Sequence, residues 1–340
     1  MKTFGFLSFG HYGPIGSDYD IRDMLHQAVD LSVAADEIGV NGAYFRVHHF
    51  AKQAAAPIPL LSAIAARTNR IEVGTGVIDL RYENPLHLAE EAAALDVLSD
   101  GRLALGVSRG SPEPALRGWE AFGYTGSKDL RGADLARDKF AQFMSAIDGE
   151  PQVDADPDFH GPGQRLRIEP QSPGLRQRVW WGAGSRATAE WAAQQGVNLM
   201  SSTLITEATG ASFAALQHEQ IQLYRNAWTA AGHDWEPRVS VSRSVFPITN
   251  DIDRQLFLRE SGGRDQIGVI DGFNSTFGRS YVGEPDKLVE QLLADEAVMD
   301  ADTLMLTIPN QLGADYNAHL LQSFAEHIAP ALGWEKGTGR

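Results

Sequence analysis

A (β/α)8 barrel is the fold class this sequence predicts. Eight apolar strand-like runs alternate with eight one-sided helical segments, several runs end abruptly in glycine or charged residues, and no linker divides the chain. The strand candidates are Thr3 to Phe9, Gly42 to Val47, Ile71 to Ile78, Arg102 to Ser108, Arg178 to Gly182, Asn198 to Ser201, Val239 to Pro247 and Thr303 to Ile308. Helical spacing of apolar residues marks Ile21 to Ile38, Leu60 to Arg67, Leu86 to Leu98, Leu130 to Ile147, Ser185 to Gln195, Gly210 to Ala231, Asp286 to Glu296 and Tyr316 to Ala331. Asp20 and Ser185 stand where helix N-caps are needed, and Gly39 and Gly196 follow helix ends.

Two connections are too long for simple turns. The first, about 149–177, is rich in Pro, Gly and Asp; the second, about 261–283, holds many glycines and few aliphatic residues. They read as insertions after the fourth and seventh strands, the second placed to close over a site. The chain therefore reads as one barrel domain, 1–335, with a flexible tail, 336–340.

Composition narrows the partners. The 340 residues carry a formal net charge of −15 and no basic run, which argues against a nucleic-acid or anionic-membrane surface. Hydrophobic residues at 43% and charged residues at 21% fit a globular protein rather than a disordered one. The absence of cysteine excludes disulfides and thiolate chemistry and suits a cytoplasmic protein. The N-terminal run is short and glycine-broken, so it reads as a first strand and not as a signal segment.

The most informative run is Leu103-Ala104-Leu105-Gly106-Val107-Ser108-Arg109-Gly110-Ser111, a buried-strand pattern that ends in a cation and freed backbone N–H groups. In a parallel barrel the carboxyl ends of the strands share one face, so Arg109, Gly110 and Ser111 form either an anion seat or a rim salt bridge. A second such feature lies at Trp181-Gly182-Ala183-Gly184-Ser185, where a strand runs through Ala183 and Gly184 into a helix start capped by Ser185 with Thr188 in its first turn. A helix N-terminus with a hydroxyl cap suits a phosphate. Neither run has the spacing of a P-loop or of a dinucleotide fingerprint, and a mononucleotide fits better.

Three further features bear on chemistry. The second strand ends in His48-His49, of which one can face the barrel axis while the other packs outward; His48 is the chosen proton-handling residue, against the reading of a satisfied loop histidine. Glycines flank Thr75 in Val73-Gly74-Thr75-Gly76, which marks either the approach of a flat ligand or a barrel corner needing space. Trp180, Trp181 and Trp191 read as packing, with at most one reaching a ligand. No metal site is expected, because His11, Asp79, Asp96 and His160 offer residue types without a supporting spacing.

Taken together, these residues resemble the luciferase-like flavin-dependent monooxygenases. The resemblance runs through His48-His49-Phe50, Ala63 to Ile71 leading into Val73-Gly74-Thr75-Gly76, Asn84-Pro85 ahead of Ala89-Glu90-Glu91, Leu95 to Arg102 into Gly106 to Gly110, and Gly283 to Leu288. It implies a TIM barrel that binds FMN in its reduced form, FMNH2, usually delivered by a separate flavin reductase. With O2 such a protein forms a flavin C4a-(hydro)peroxide that oxidises a small organic substrate. By position it implies that Arg109, Ser111, Ser185 and Thr188 hold the flavin phosphate, that Thr75-Gly76 runs behind the ring with a cis peptide between them, and that His48 sits at the reaction centre. The 261–283 segment matches one that is mobile in relatives, and a homodimer is the expected assembly. Two departures stand out: Val47 replaces a glutamate that often precedes the histidine pair, and Ser108 replaces a cysteine found near the ring in some luciferases. The alternatives are an F420-dependent hydride-transfer oxidoreductase of the same fold, a non-catalytic flavin-binding barrel, and a metal-dependent hydrolase.

Overall fold

Residues 3–110, 113–257, 263–270 and 273–336 are described by the computed structural model. Eight parallel strands form the barrel: β1 (Thr3–Ser8), β2 (Gly42–Phe45), β3 (Glu72–Thr75), β4 (Leu103–Ser108), β5 (Val179–Ala183), β6 (Asn198–Ser201), β7 (Val239–Pro247) and β8 (Thr303–Ile308). Each pairs with the next in sequence, and β8 returns to β1 through the register Thr3↔Thr303 to Ser8↔Ile308, so the sheet is closed. Outside it run α1 (Ile21–Ile38), α2 (Pro57–Arg67), α3 (Pro85–Leu98), α4 (Ala133–Ile147), α5 (Arg186–Gln194), α6 (Phe213–Ala231), α7 (Pro285–Leu293) and α8 (Ala314–His327). Among the described residues no helix is long and apolar enough to cross a membrane.

Strand alternation divides the apolar residues into two layers. Leu7, Tyr44, Ala104, Trp180, Met200 and Met305 fill the barrel interior, while a larger shell including Phe45, Val73, Leu105 and Trp181 packs between strands and helices. The small interior depends on glycine. A side chain at Gly5, Gly42 or Gly74 would collide with the Tyr44 ring, whose hydroxyl donates to Glu72 at 2.8 Å, and Glu72 in turn pairs with Arg238. Gly74 is thus a packing glycine.

Several boundaries move for identifiable reasons. Helix α1 has the full capping box, Asp20 and Asp23 exchanging bonds with each other's backbone, and ends on Gly39 at φ 110°. Helix α4 starts at Ala133 rather than Leu130, because Gly132 is left-handed and Asp129 accepts the N–H groups of Arg131 and Ala133. The seventh helical segment breaks in two at Asp295, which caps Glu296–Asp300 and pairs with the buried Arg243.

Both long connections carry structure of their own. Segment 149–177 lies between α4 and β5, at the end of the barrel where β5 begins, and carries a short antiparallel pair, Val153–Asp154 with Arg165–Leu166. The long connection that directly follows β4 is 109–132. Segment 261–283 is not a featureless loop: Gln266–Ile270 and Phe273–Phe277 form an antiparallel pair that adds to Leu204–Ile205 beyond β6. Residues 261–262 and 271–272, and 337–340 of the expected flexible tail 336–340, lie outside the described residues.

The interior plug yields a direct test. Trp180 is fully buried inside the barrel. Trp180→Ala is expected to lower unfolding free energy by about 3–5 kcal/mol, read from urea denaturation.

Candidate functional site

Parallel closure brings all strand carboxyl ends to one mouth, and a cavity of about 570 Å³ opens there. His48, Gly76, Arg109, Gly110, Gly184, Ser185 and Thr188 all line it. Thr75 and Ala183 do not: both are fully buried in the wall, and the Thr75 hydroxyl donates to the Gly106 carbonyl at 2.7 Å. Ser111 lies outside the described residues. The non-proline cis peptide is one bond further along than expected, at Gly76–Val77 instead of Thr75–Gly76.

Several of the lining groups suit an anion. The Ser185 hydroxyl caps α5 by accepting the Thr188 N–H at 3.3 Å and lies 2.9 Å from the Thr188 hydroxyl. Arg109 comes to the same cavity from the end of β4, with Arg131 and Arg137 from either side of the α4 N-terminus. Glu207, a carboxylate on that rim, is engaged by Arg186 at 2.6 Å. Nearby, Gly76, Gly182 and Gly184 bring backbone to the cavity surface, and Trp181, Trp191 and Phe273 supply aromatic faces. Two of the three tryptophans, Trp181 and Trp191, line the cavity, while Trp180 fills the barrel interior. Trp181 keeps a buried indole N–H without a partner. A flat ring with a phosphate-ended chain fits these residues: glycine surfaces and aromatics for the ring, a guanidinium and two hydroxyls at a helix N-terminus for the phosphate.

Beneath this rim lies a buried ion pair. Asp79, just beyond β3, receives Arg81 Nε at 2.9 Å and Nη2 at 2.5 Å. Arg81 also donates to the Arg131 carbonyl at 2.9 Å and lies over Trp119, while Lys139 donates to the Arg81 carbonyl at 2.7 Å. Gly110 packs on this pair at φ +84°, and any Cβ there would collide with the Asp79 carboxylate. Asp79 is thus engaged in structure, as is Asp96, which pairs with Arg178 and Ser172. Among the described residues no group of three His, Asp or Glu side chains could hold a metal ion.

The histidine pair splits, although β2 ends at Phe45 and both residues lie in the connection beyond it. His48 lines the cavity and its Nδ1 lies 3.0 Å from Glu113 Oε1. His49 turns away, stacked on Tyr82 at 4.1 Å with Phe122 against its edge, and burial lowers its pKa. Val47 is buried, so the carboxylate beside the pair comes instead from the 109–132 connection. Arg46, Glu113, Arg131 and Arg137 are cavity residues that sequence reasoning did not select. The one signal for Glu113 was an acidic residue four positions after the Arg109 strand end, between two prolines.

With this geometry in view, comparison with known proteins identifies the class. Residues 1–256 match the model of the luciferase-like monooxygenase family, and the chain belongs to that family. An uncharacterised Bacillus subtilis protein, YwcH, is 33% identical over 115 residues, 33% of this chain and 34% of that protein. The F420-dependent glucose-6-phosphate dehydrogenase of Kribbella flavida is 25% identical over 329 residues, 91% of this chain and 89% of the other. In three of the curated relatives the matched stretch spans only 34% to 57% of their length. Among solved structures, the FMN complex of the oxygenating constituent of 3,6-diketocamphane monooxygenase from Pseudomonas putida superposes with a TM-score of 0.73. It is 17% identical and covers 97% of this chain and 98% of that one, a likeness of fold.

Two outcomes follow from the site's construction. Gly110→Ala is expected to cost at least the left-handed penalty of about 1–2 kcal/mol and to displace Asp79, lowering the thermal midpoint. Glu83, beside this network, has its pKa pushed up to about 7 by burial and then by Glu91. A carboxyl raised in the folded state contributes stability below its ordinary value of 4.5, and that contribution is lost as pH rises through about 7. Urea midpoints of wild type should therefore fall relative to Glu83→Gln across that window, and a constant difference would contradict the assignment.

Proposed function

We propose that this chain is a monooxygenase that takes FMNH2 from a separate flavin reductase and, with O2, oxidises a small organic substrate, working as a cytoplasmic homodimer. The observation that carries the proposal is one cavity lined by a guanidinium, a hydroxyl-capped helix start and a buried histidine. Family membership supports the same reading. Lack of cysteine fits a reducing compartment, and two-fold dimers are the commonest assembly.

In this reading Arg109, Ser185 and Thr188 hold the phosphate, with Ala183 and Gly184 shaping the approach; the Gly110 N–H is donated to the Ser108 hydroxyl at 2.7 Å, so Gly110 serves by placing Arg109. Thr75 and Gly76 form the wall behind the ring, and Trp181 and Trp191 screen it from water. When bound, reduced flavin supplies two electrons and activates dioxygen, so that one oxygen atom enters the substrate and the other leaves as water. His48 gives or takes the proton that this exchange requires at the substrate side of the cavity. Limiting water matters because activated oxygen is otherwise lost to side reactions.

A second reading, hydride transfer with F420, is favoured by the nearly full-length match to an F420-dependent dehydrogenase. Both cofactors end their ribityl chain in phosphate, so the anion seat serves either. Anaerobic titration with FMNH2 and with F420H2, followed by mixing with oxygen, separates them. FMNH2 binding and oxygen uptake are expected; binding of F420H2 alone, without oxygen uptake, overturns the first reading. Arg109→Ala should weaken FMN at least about tenfold and leave riboflavin, which lacks the phosphate, nearly unchanged. Equal losses in fluorescence titrations would refute the phosphate role.

A further inference from the structure

Glu113 reaches His48 from a different element and is as deeply buried as its partner: the two side chains are 3% and 7% exposed. Its Oε1 lies 3.0 Å from His48 Nδ1 and also accepts the His49 backbone N–H at 3.4 Å, while Oε2 is buried with no hydrogen-bond partner. We propose that Glu113 is the positioning residue for His48, holding the imidazole with a proton on Nδ1 and so making Nε2 the atom that exchanges a proton in the cavity. The proposal deepens the reading of His48 given above and rests on it.

The argument is one of donors and acceptors. An ionised carboxylate accepts hydrogen bonds and cannot donate one, so a stable contact at 3.0 Å requires the hydrogen to sit on Nδ1. That holds for both the neutral ring and the imidazolium, which means the ring can cycle between them at Nε2 without losing its anchor. A buried carboxylate left without such a donor is costly, and the second oxygen gains nothing from its surroundings. The His49 N–H adds a fixed second donor. Because His49 is itself clamped on Tyr82, the carboxylate is referenced to the β2 end through both residues of the pair.

Other charged and titratable groups surround the pair. Arg46, just beyond β2, lies within electrostatic reach of Glu113, and His11, beyond β1, within electrostatic reach of His48. Asp79, Arg81 and Tyr82 also sense Glu113, but Asp79 and Arg81 are already joined to each other. The arrangement resembles a histidine–carboxylate pair whose geometry is set by the fold rather than by ligand.

The tautomer can be measured on the protein without flavin, so the result is independent of which cofactor it uses. In protein labelled with 15N-histidine, long-range 1H–15N spectra report which ring nitrogen carries the hydrogen, and His48→Asn assigns the signals. Wild-type His48 is expected as the Nδ1–H form. Glu113→Leu, checked for folding by circular dichroism, should move it to Nε2–H or to an exchanging mixture. A wild-type spectrum of the Nε2–H form overturns the proposal whether or not the variant folds, and so does an unchanged Nδ1–H form in the variant. Failure of the flavin reading would show instead in the FMNH2 titration.

Discussion

The mouth of the barrel hangs on the Asp79–Arg81 ion pair. Two charges this deeply buried are stable only because each is satisfied by the other and by fixed neighbours, and removing one partner of such a pair typically costs about 3–5 kcal/mol. Three separate stretches use the pair as a reference point. Gly110 lies flat on Asp79, Gly132 lies against the Arg81 stem, and Lys139 reaches the Arg81 carbonyl from α4. Arg109 precedes one of these anchors and Arg131 precedes another, so the cations of the rim are placed by a pair that does not itself line the cavity.

Barrel closure supplies the other half of the placement. Tyr44 and Trp180 fill the floor, and the strands can pack around them only because Gly5, Gly42 and Gly74 give up their side chains to the Tyr44 ring. A filled floor makes the cavity one-ended. The cavity at the carboxyl ends of the strands is lined by Trp181, Trp191 and Phe273 together with the backbone of Gly76.

Much of this was legible in the sequence, because periodicity is a local property. All eight barrel strands and their helices follow from apolar spacing, and Ser185 as a cap follows from residue type and position. What the sequence left open depended on contacts between distant residues. Gly74 and Gly76 looked alike, yet one faces Tyr44 and the other the cavity. Asp79 had the residue type of a metal ligand until Arg81 occupied it. The 149–177 segment read only as an insertion, and it follows a helix that has already carried the chain back to the far end of the barrel. Glu113 was missed for the same reason: nothing in Ser111-Pro112-Glu113-Pro114 says which residue across the mouth it will meet.

Val47 stands beside the histidine pair where the resemblance leads one to expect a glutamate, and the carboxylate at the imidazole comes from another element. Val47 lies beyond the end of β2 and lines the same cavity as His48. From the 109–132 connection, the approach to Nδ1 is across the mouth, and the same oxygen can also take the His49 N–H. What the imidazole requires is an acceptor at about hydrogen-bond distance from one nitrogen, with the other left to the cavity side. The chain position that supplies the acceptor is free to differ, provided the element carrying it is itself held, and here the element is held through Gly110 by Asp79.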